Sequence, residues 1–141
     1  MGISDRTGTL TYYLFDDPAL NSFDRELAKS RVASTPYRIV GTLEIPVERL
    51  DAILKQYLPK DVKIDFLSID VEGLDIAVLR SNDWNSFRAE CVLVESLEMS
   101  LENAMQGEIF LFMKSNGYDL FAKTYNTLIF RERPGATGKA S

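Results

Sequence analysis

Two apolar runs near the middle of the chain each end in a carboxylate: Ile64-Asp65-Phe66-Leu67-Ser68-Ile69-Asp70 and Cys91-Val92-Leu93-Val94-Glu95. Runs that are apolar on both faces mark strands covered on both sides, as in parallel sheets. Between them, Gly73 opens a stretch with Leu74, Ala77 and Val78 at helical spacing that extends as far as Trp84. The whole reads as one strand–helix–strand unit.

The flanks carry weaker patterns. Residues 9–15 are rich in Thr, Tyr and Leu and follow the turn signal Asp5-Arg6-Thr7-Gly8, which predicts a strand. Asp16-Asp17-Pro18 breaks it, and a polar segment follows in which residues 23–32 show weak helical periodicity. A second strand is expected over 37–44. Behind Pro46, Val47, Leu50, Ile53, Leu54 and Tyr57 recur at helical spacing until Pro59, so the proline is expected in the first turn of a helix. Past the central unit, residues 101–115 predict one helix, stopped by Asn116-Gly117. Residues 118–123 and 127–131, joined by a turn near Tyr125-Asn126, read as an antiparallel hairpin. The expected fold class is α/β, with a mixed sheet and a C-terminal antiparallel hairpin. One domain is expected over 1–133, followed by a small polar tail over 134–141.

Composition narrows the chemistry. Hydrophobic residues at 45% and charged residues at 26% are ordinary for a globular chain. A net charge of −5 argues against a chain built to grip phosphate backbones, so no nucleic-acid partner is expected. No apolar stretch approaches the roughly 20 residues that span a bilayer, and no signal-like leader is present, so no membrane partner and a cytoplasmic setting are expected. The sequence has no histidine and a single cysteine, Cys91. Histidine-based triads, Cys-His dyads, His-ligated zinc and thiolate clusters are all excluded. Catalysis must then use carboxylates, amines, phenols, amides or a bound cofactor.

In an open parallel sheet, ligands bind beyond the carboxyl ends of the strands. Asp70, Glu72 in the same turn, and Glu95 are therefore expected near one rim. Carboxylates there can take a proton from an attacking hydroxyl, orient a ligand's amine or hydroxyl, or hold a divalent cation. The plainer alternative for Glu72 is stabilising the start of the helix that follows. Asn21 and Ser22 lie in a polar loop of the kind that caps substrates, although a surface turn is an equal reading. Tyr12, Tyr13 and Phe15 are expected to be core.

Residues 64–79 contain Ile69-Asp70-Val71-Glu72-Gly73 between an apolar strand and a helix with an acid and a Val78-Leu79 pair. This resembles the signature of the FkbM methyltransferase family. The likeness continues in Cys91-Val92-Leu93-Val94-Glu95, and backwards through residues 3–10 and 18–23, covering roughly 3–130. It implies a Rossmann-like class I methyltransferase fold, S-adenosyl-L-methionine as cofactor, and a small-molecule, sugar or polyketide hydroxyl as acceptor. By position in that pattern, Asp70 is the candidate base or a contact to the methionyl end of the cofactor. Glu72 is the second catalytic candidate, and Ser4 and Asp5 match adenine-side contacts; the polar loop and the strand end make Asn21, Ser22 and Glu95 the substrate-binding candidates. No resident metal is implied.

The chain departs from the family in one respect. Its eight glycines include no G-x-G-x-x-G spacing, and the loop and ribose-binding acid that precede this part in the family are not in the sequence. The fold is thus expected to be partial, with weak cofactor binding by the chain alone and self-association through an exposed sheet edge. Two other readings stand beside the methyltransferase: a non-catalytic remnant or interaction module of the same fold, and a hydrolase with an acidic metal site.

Overall fold

A computed structural model describes residues 1–98 and 100–136. The chain folds into two compact units that interlace along the sequence. One holds Met1–Gln56 and Val71–Ser81; the other holds Tyr57–Asp70 and the chain from Asn82 onward.

In the first unit, β1 (Gly2–Ser4), β2 (Gly8–Phe15) and β3 (Ile39–Arg49) form a sheet in the order β1-β3-β2. β1 runs parallel to β3 and β2 antiparallel to it. Between β2 and β3, the polar segment does form a helix, α1 (Arg25–Ser34). Its weak periodicity is compensated at the N-terminus, where the Asp24 carboxylate accepts from the amides of Glu26 (2.8 Å) and Leu27 (3.0 Å). The rings of Tyr12 and Phe23 meet at a 45° tilt with centroids 4.6 Å apart. Phe15, Ala28, Val47, Leu50, Val78 and Leu79 are buried.

Pro46 corrects the sequence reading. It lies inside β3 rather than opening a helix, and the helix α2 (Leu50–Tyr57) starts after Arg49. Proline is tolerated in a strand where its missing N–H faces no neighbour. Pro46 is opposite Thr9 of β2, whereas β1 pairs only from Val47 onward. The helix after Gly73 is also shorter than expected. α3 covers Asp75–Arg80, and the Ser81 hydroxyl ends it by donating to the Val78 carbonyl (2.7 Å).

In the second unit, β4 (Ile64–Ile69), β5 (Ala89–Glu95), α4 (Leu101–Ala104), α5 (Glu108–Ser115), β6 (Tyr118–Lys123) and β7 (Thr127–Glu132) follow in order. The strand order is β4-β5-β7-β6. β4 and β5 are parallel, with Ile69 opposite Val94, and the hairpin β6–β7 continues the sheet antiparallel from β5. The expected parallel pair and flanking hairpin are both present, so the protein is α/β with mixed sheets. β4 is an edge of its sheet, and Phe66 on it is 66% exposed.

The single helix expected over 101–115 is instead α4 and α5. Gly107 takes an extended backbone at the start of α5, and its N–H donates to the Ala104 carbonyl (3.2 Å). A Cβ there would sit 3.2 Å from that carbonyl, so glycine suits the break.

The core of this unit is built on β5, β6, β7 and α5: Val92, Val94, Met113, Tyr118, Leu128 and Phe130 are buried. Trp84 meets Tyr118 edge-on at 5.3 Å and Phe112 at 6.4 Å. Arg88 ties this core together. It pairs with Glu132, donates to the carbonyls of Trp84 (2.7 Å) and Asn116 (3.0 Å), and lies 4.9 Å over the Tyr118 ring. The Tyr118 hydroxyl donates to the Ala89 carbonyl (2.8 Å), and burial pushes the phenol up to about 12. Among the described residues no helix is long and apolar enough to cross a membrane. The tail expected over 134–141 lies partly outside the described residues.

Candidate functional site

In the first unit the turn Val71-Glu72-Gly73 leads into α3 with two successive positive φ angles, 51° at Glu72 and 99° at Gly73. For a residue with a side chain, such a conformation costs on the order of 1–3 kcal/mol and persists only where its surroundings fix it. Several contacts do so here. The Asp75 carboxylate accepts from the amides of Val71 and Gly73, both at 3.3 Å. The Glu72 carbonyl accepts from the Ser22 hydroxyl (2.9 Å), whose oxygen also accepts from the Asp24 amide (2.9 Å). The Glu72 carboxylate is paired with Arg31, which also donates to the Leu20 carbonyl (2.7 Å). Gly73 allows close approach as well: a Cβ would lie 3.2 Å from the Leu27 side chain and 3.3 Å from the Asp24 carboxylate.

The loop holding Asn21 and Ser22 folds back on β2. Tyr13 and Ser22 exchange backbone hydrogen bonds at 2.9 and 3.2 Å, and the Asn21 side-chain oxygen accepts from the Phe15 amide (2.7 Å). Ser4 is buried, and its hydroxyl donates to the Asp5 carboxylate (3.2 Å). The Asp5 carbonyl accepts from Arg49 (3.1 Å), a side chain also bound to the Asp51 carboxylate (2.7 Å).

In the second unit, Asp70 directly follows β4 and Glu95 ends β5, one step beyond the Ile69–Val94 pair. Parallel pairing with no slip brings these two side chains together, with carboxylate oxygens within 4.8 Å of one another. Asp70 is exposed and has no hydrogen-bond or ion-pair partner among the described residues. Two adjacent carboxylates, one of them unengaged, can accept a hydroxyl proton or receive a cationic group.

The structure thus joins Asp70 with Glu95 in one unit, and Glu72 with Ser22 in the other. Sequence reasoning overlooked Asp75 and Arg31. Asp75 was legible in principle, because a carboxylate two residues after a glycine turn commonly bonds back to that turn's amides. Arg31 is 41 residues from Glu72, and nothing local announces the pair.

The sequence profile described as the methyltransferase FkbM domain matches residues 1–120. A curated relative, "Methyltransferase sdnD" of Sordaria araneosa, is 27% identical over 140 residues, covering 84% of this chain and 52% of the relative. The chain therefore spans about half the length of the curated relative it matches. No solved structure matches.

Proposed function

The chain belongs to the methyltransferase FkbM family, and on that premise we propose that it takes part in methyl transfer from S-adenosyl-L-methionine to a hydroxyl of a small molecule. The observation that carries this reading is the unengaged Asp70 carboxylate beyond β4, with Glu95 beside it at the end of the parallel strand β5. Ligands of open α/β sheets bind beyond such strand ends.

The likeness to the family assigns adenine-side contacts to Ser4 and Asp5, and the unengaged Asp70 carboxylate is kept for the acceptor's proton. When bound, the cofactor supplies a methyl group made electrophilic by its sulfonium. With the cofactor bound, Asp70 would accept the proton of the acceptor hydroxyl. Glu95 orients the acceptor hydroxyl. Glu72 acts as a positioning residue: its carboxylate is engaged by Arg31, and its strained turn fixes the backbone that follows Asp70.

A positioned general base contributes about 10²–10⁴-fold in rate. In the whole gene product, Asp70→Asn is expected to lower kcat by that factor while leaving the melting temperature within about 2 °C, because an exposed, unpartnered side chain carries little stability. Transfer of a labelled methyl group to alcohol acceptors is the assay. Unchanged turnover would reduce Asp70 to a solvated strand-end acid.

A further inference from the structure

Beyond the acid pair, at the other side of the β4–β5–β7–β6 sheet, α4 and the edge strand β6 flank an open cleft of about 500 Å³. Leu101, Met105, Phe121 and Tyr125 line it and are 47%, 45%, 65% and 77% exposed. Single exposed apolar residues are ordinary on any surface. Four large ones around one concavity, in the size range of small-molecule sites, are not.

The cleft is tied to the rim that carries the acids. Glu95 pairs with Thr127, the first residue of β7, and the next amide, Ser96, donates to the Asn126 carbonyl (2.8 Å). The hairpin tip at 124–126 is thereby fastened to the end of β5, one residue past Glu95. The Lys123 ammonium stiffens the same tip by donating to the carbonyls of Thr124 (3.0 Å) and Tyr125 (2.9 Å). A register irregularity between Leu120 and Ala122 leaves Phe121 outside the regular ladder of β6. Bulges of this kind redirect a side chain. On the other wall, α4 begins at Leu101 and Met105 follows its end.

We propose that this cleft seats the carbon skeleton of the methyl acceptor, so that the substrate class is an apolar, ring-bearing alcohol rather than a free sugar. The proposal rests on the methyltransferase reading for the word acceptor; the binding itself does not. A sugar needs a polar partner for nearly every hydroxyl, because each one buried without a partner costs on the order of 1–3 kcal/mol. The cleft offers an ammonium already engaged twice and the hydroxyls of Thr124 and Tyr125, set among Leu, Met, Phe and Ala. An apolar ring gains from this lining what a sugar loses.

The test uses 1-naphthol as the probe and methyl β-glucoside as the hydrophilic comparator, with amide chemical-shift mapping on the chain and no cofactor. The expected result is saturable shifts at Leu101, Met105, Phe121 and Tyr125 with 1-naphthol and none with the glucoside. Met105→Glu, at an exposed position, should weaken the naphthol response at least tenfold with an unchanged melting curve. Shifts confined to other residues, or a stronger response to the glucoside, would overturn the proposal. So would concentration-dependent self-association that Met105→Glu abolishes, which would assign the cleft to a second copy. Because this measurement needs no methyl transfer, binding in the cleft stands even if the Asp70 experiment fails. Conversely, methyl transfer to hydrophilic alcohols without naphthol binding would remove the cleft and leave the catalytic reading intact.

Discussion

Replacing Arg88 by alanine should cost the fold about 3 kcal/mol. Its side chain is 13% exposed, and that of its partner Glu132 is 24% exposed, so water screens the pair poorly. The substitution leaves the Glu132 carboxylate without its cation and removes the donor that serves the Trp84 and Asn116 carbonyls. Removing one partner of a shielded ion pair costs about 3–5 kcal/mol. The hydrogen bonds to the two carbonyls would each add about 1.5–3 kcal/mol if fully independent, and the contact over Tyr118 about 0.5–2 kcal/mol. These terms share one side chain and do not add. Water can reach part of the site, and releasing the arginine returns up to about 2 kcal/mol of rotamer entropy. The net estimate stays near the lower end of the ion-pair range. For a chain of this size about 3 kcal/mol corresponds to a fall of about 10 °C in melting temperature. Arg88→Lys keeps the charge but not the planar fork, and should recover about half of the loss. Circular dichroism melts and urea titrations of the three proteins are the assay, and a constant urea slope is required for a pure stability effect. A fall of less than about 3 °C for Arg88→Ala, or a lysine variant no better than alanine, would refute the argument that Arg88 organises this core.

At the strained turn, Gly73→Ala should destabilise by about 1–2 kcal/mol, since a side chain at φ 99° meets both backbone strain and the Leu27 and Asp24 side chains. Equilibrium urea unfolding reads this, and a neutral or stabilised variant would mean that the turn relaxes at no cost. The Tyr118 phenol is held up to about 12, above its ordinary value of 10.0. Its stabilisation is complete below pH 10 and is lost as the pH rises towards 12, because the unfolded phenol ionises first. Tyr118→Phe should therefore flatten the fall in denaturation midpoint over that window, and an unchanged slope would assign the fall to other groups.

The parts of the fold that were legible are those whose pattern is set by local burial. The runs ending at Asp70 and Glu95 read as parallel strands because they are apolar at successive positions, although on β4 only Ile69 is buried and Phe66 is exposed, and residues 118–123 and 127–131 read as a hairpin because turn residues separate two apolar stretches. Pro46 misled because its rule is local and its tolerance is not: the strand continues because the neighbour on one side begins only at Val47. The break between α4 and α5 was hidden because Leu101, Ala104, Met105, Ile109 and Phe112 keep a helical stripe across it, while the decisive contact is one carbonyl beside Gly107. At the candidate site, the acids could be named from their strand ends. The partners that hold the turn, Arg31 and Ser22, come from segments 41 and 50 residues away, and no sequence periodicity encodes such pairings.

The interlacing of the two units bears on how this protein can be divided. The chain passes from one to the other after Gln56, after Asp70 and after Ser81, so neither unit is a continuous stretch of sequence. The connection that joins the parallel strands of one sheet contains the helix α3, which belongs to the other unit. No single cleavage or terminal deletion can therefore release either unit whole, and an interruption between residues 57 and 81 damages both at once. Anyone wishing to move the acid pair onto another scaffold must carry β4 and β5 with the whole connection between them, α3 included, because the boundaries of the units have no counterpart along the gene.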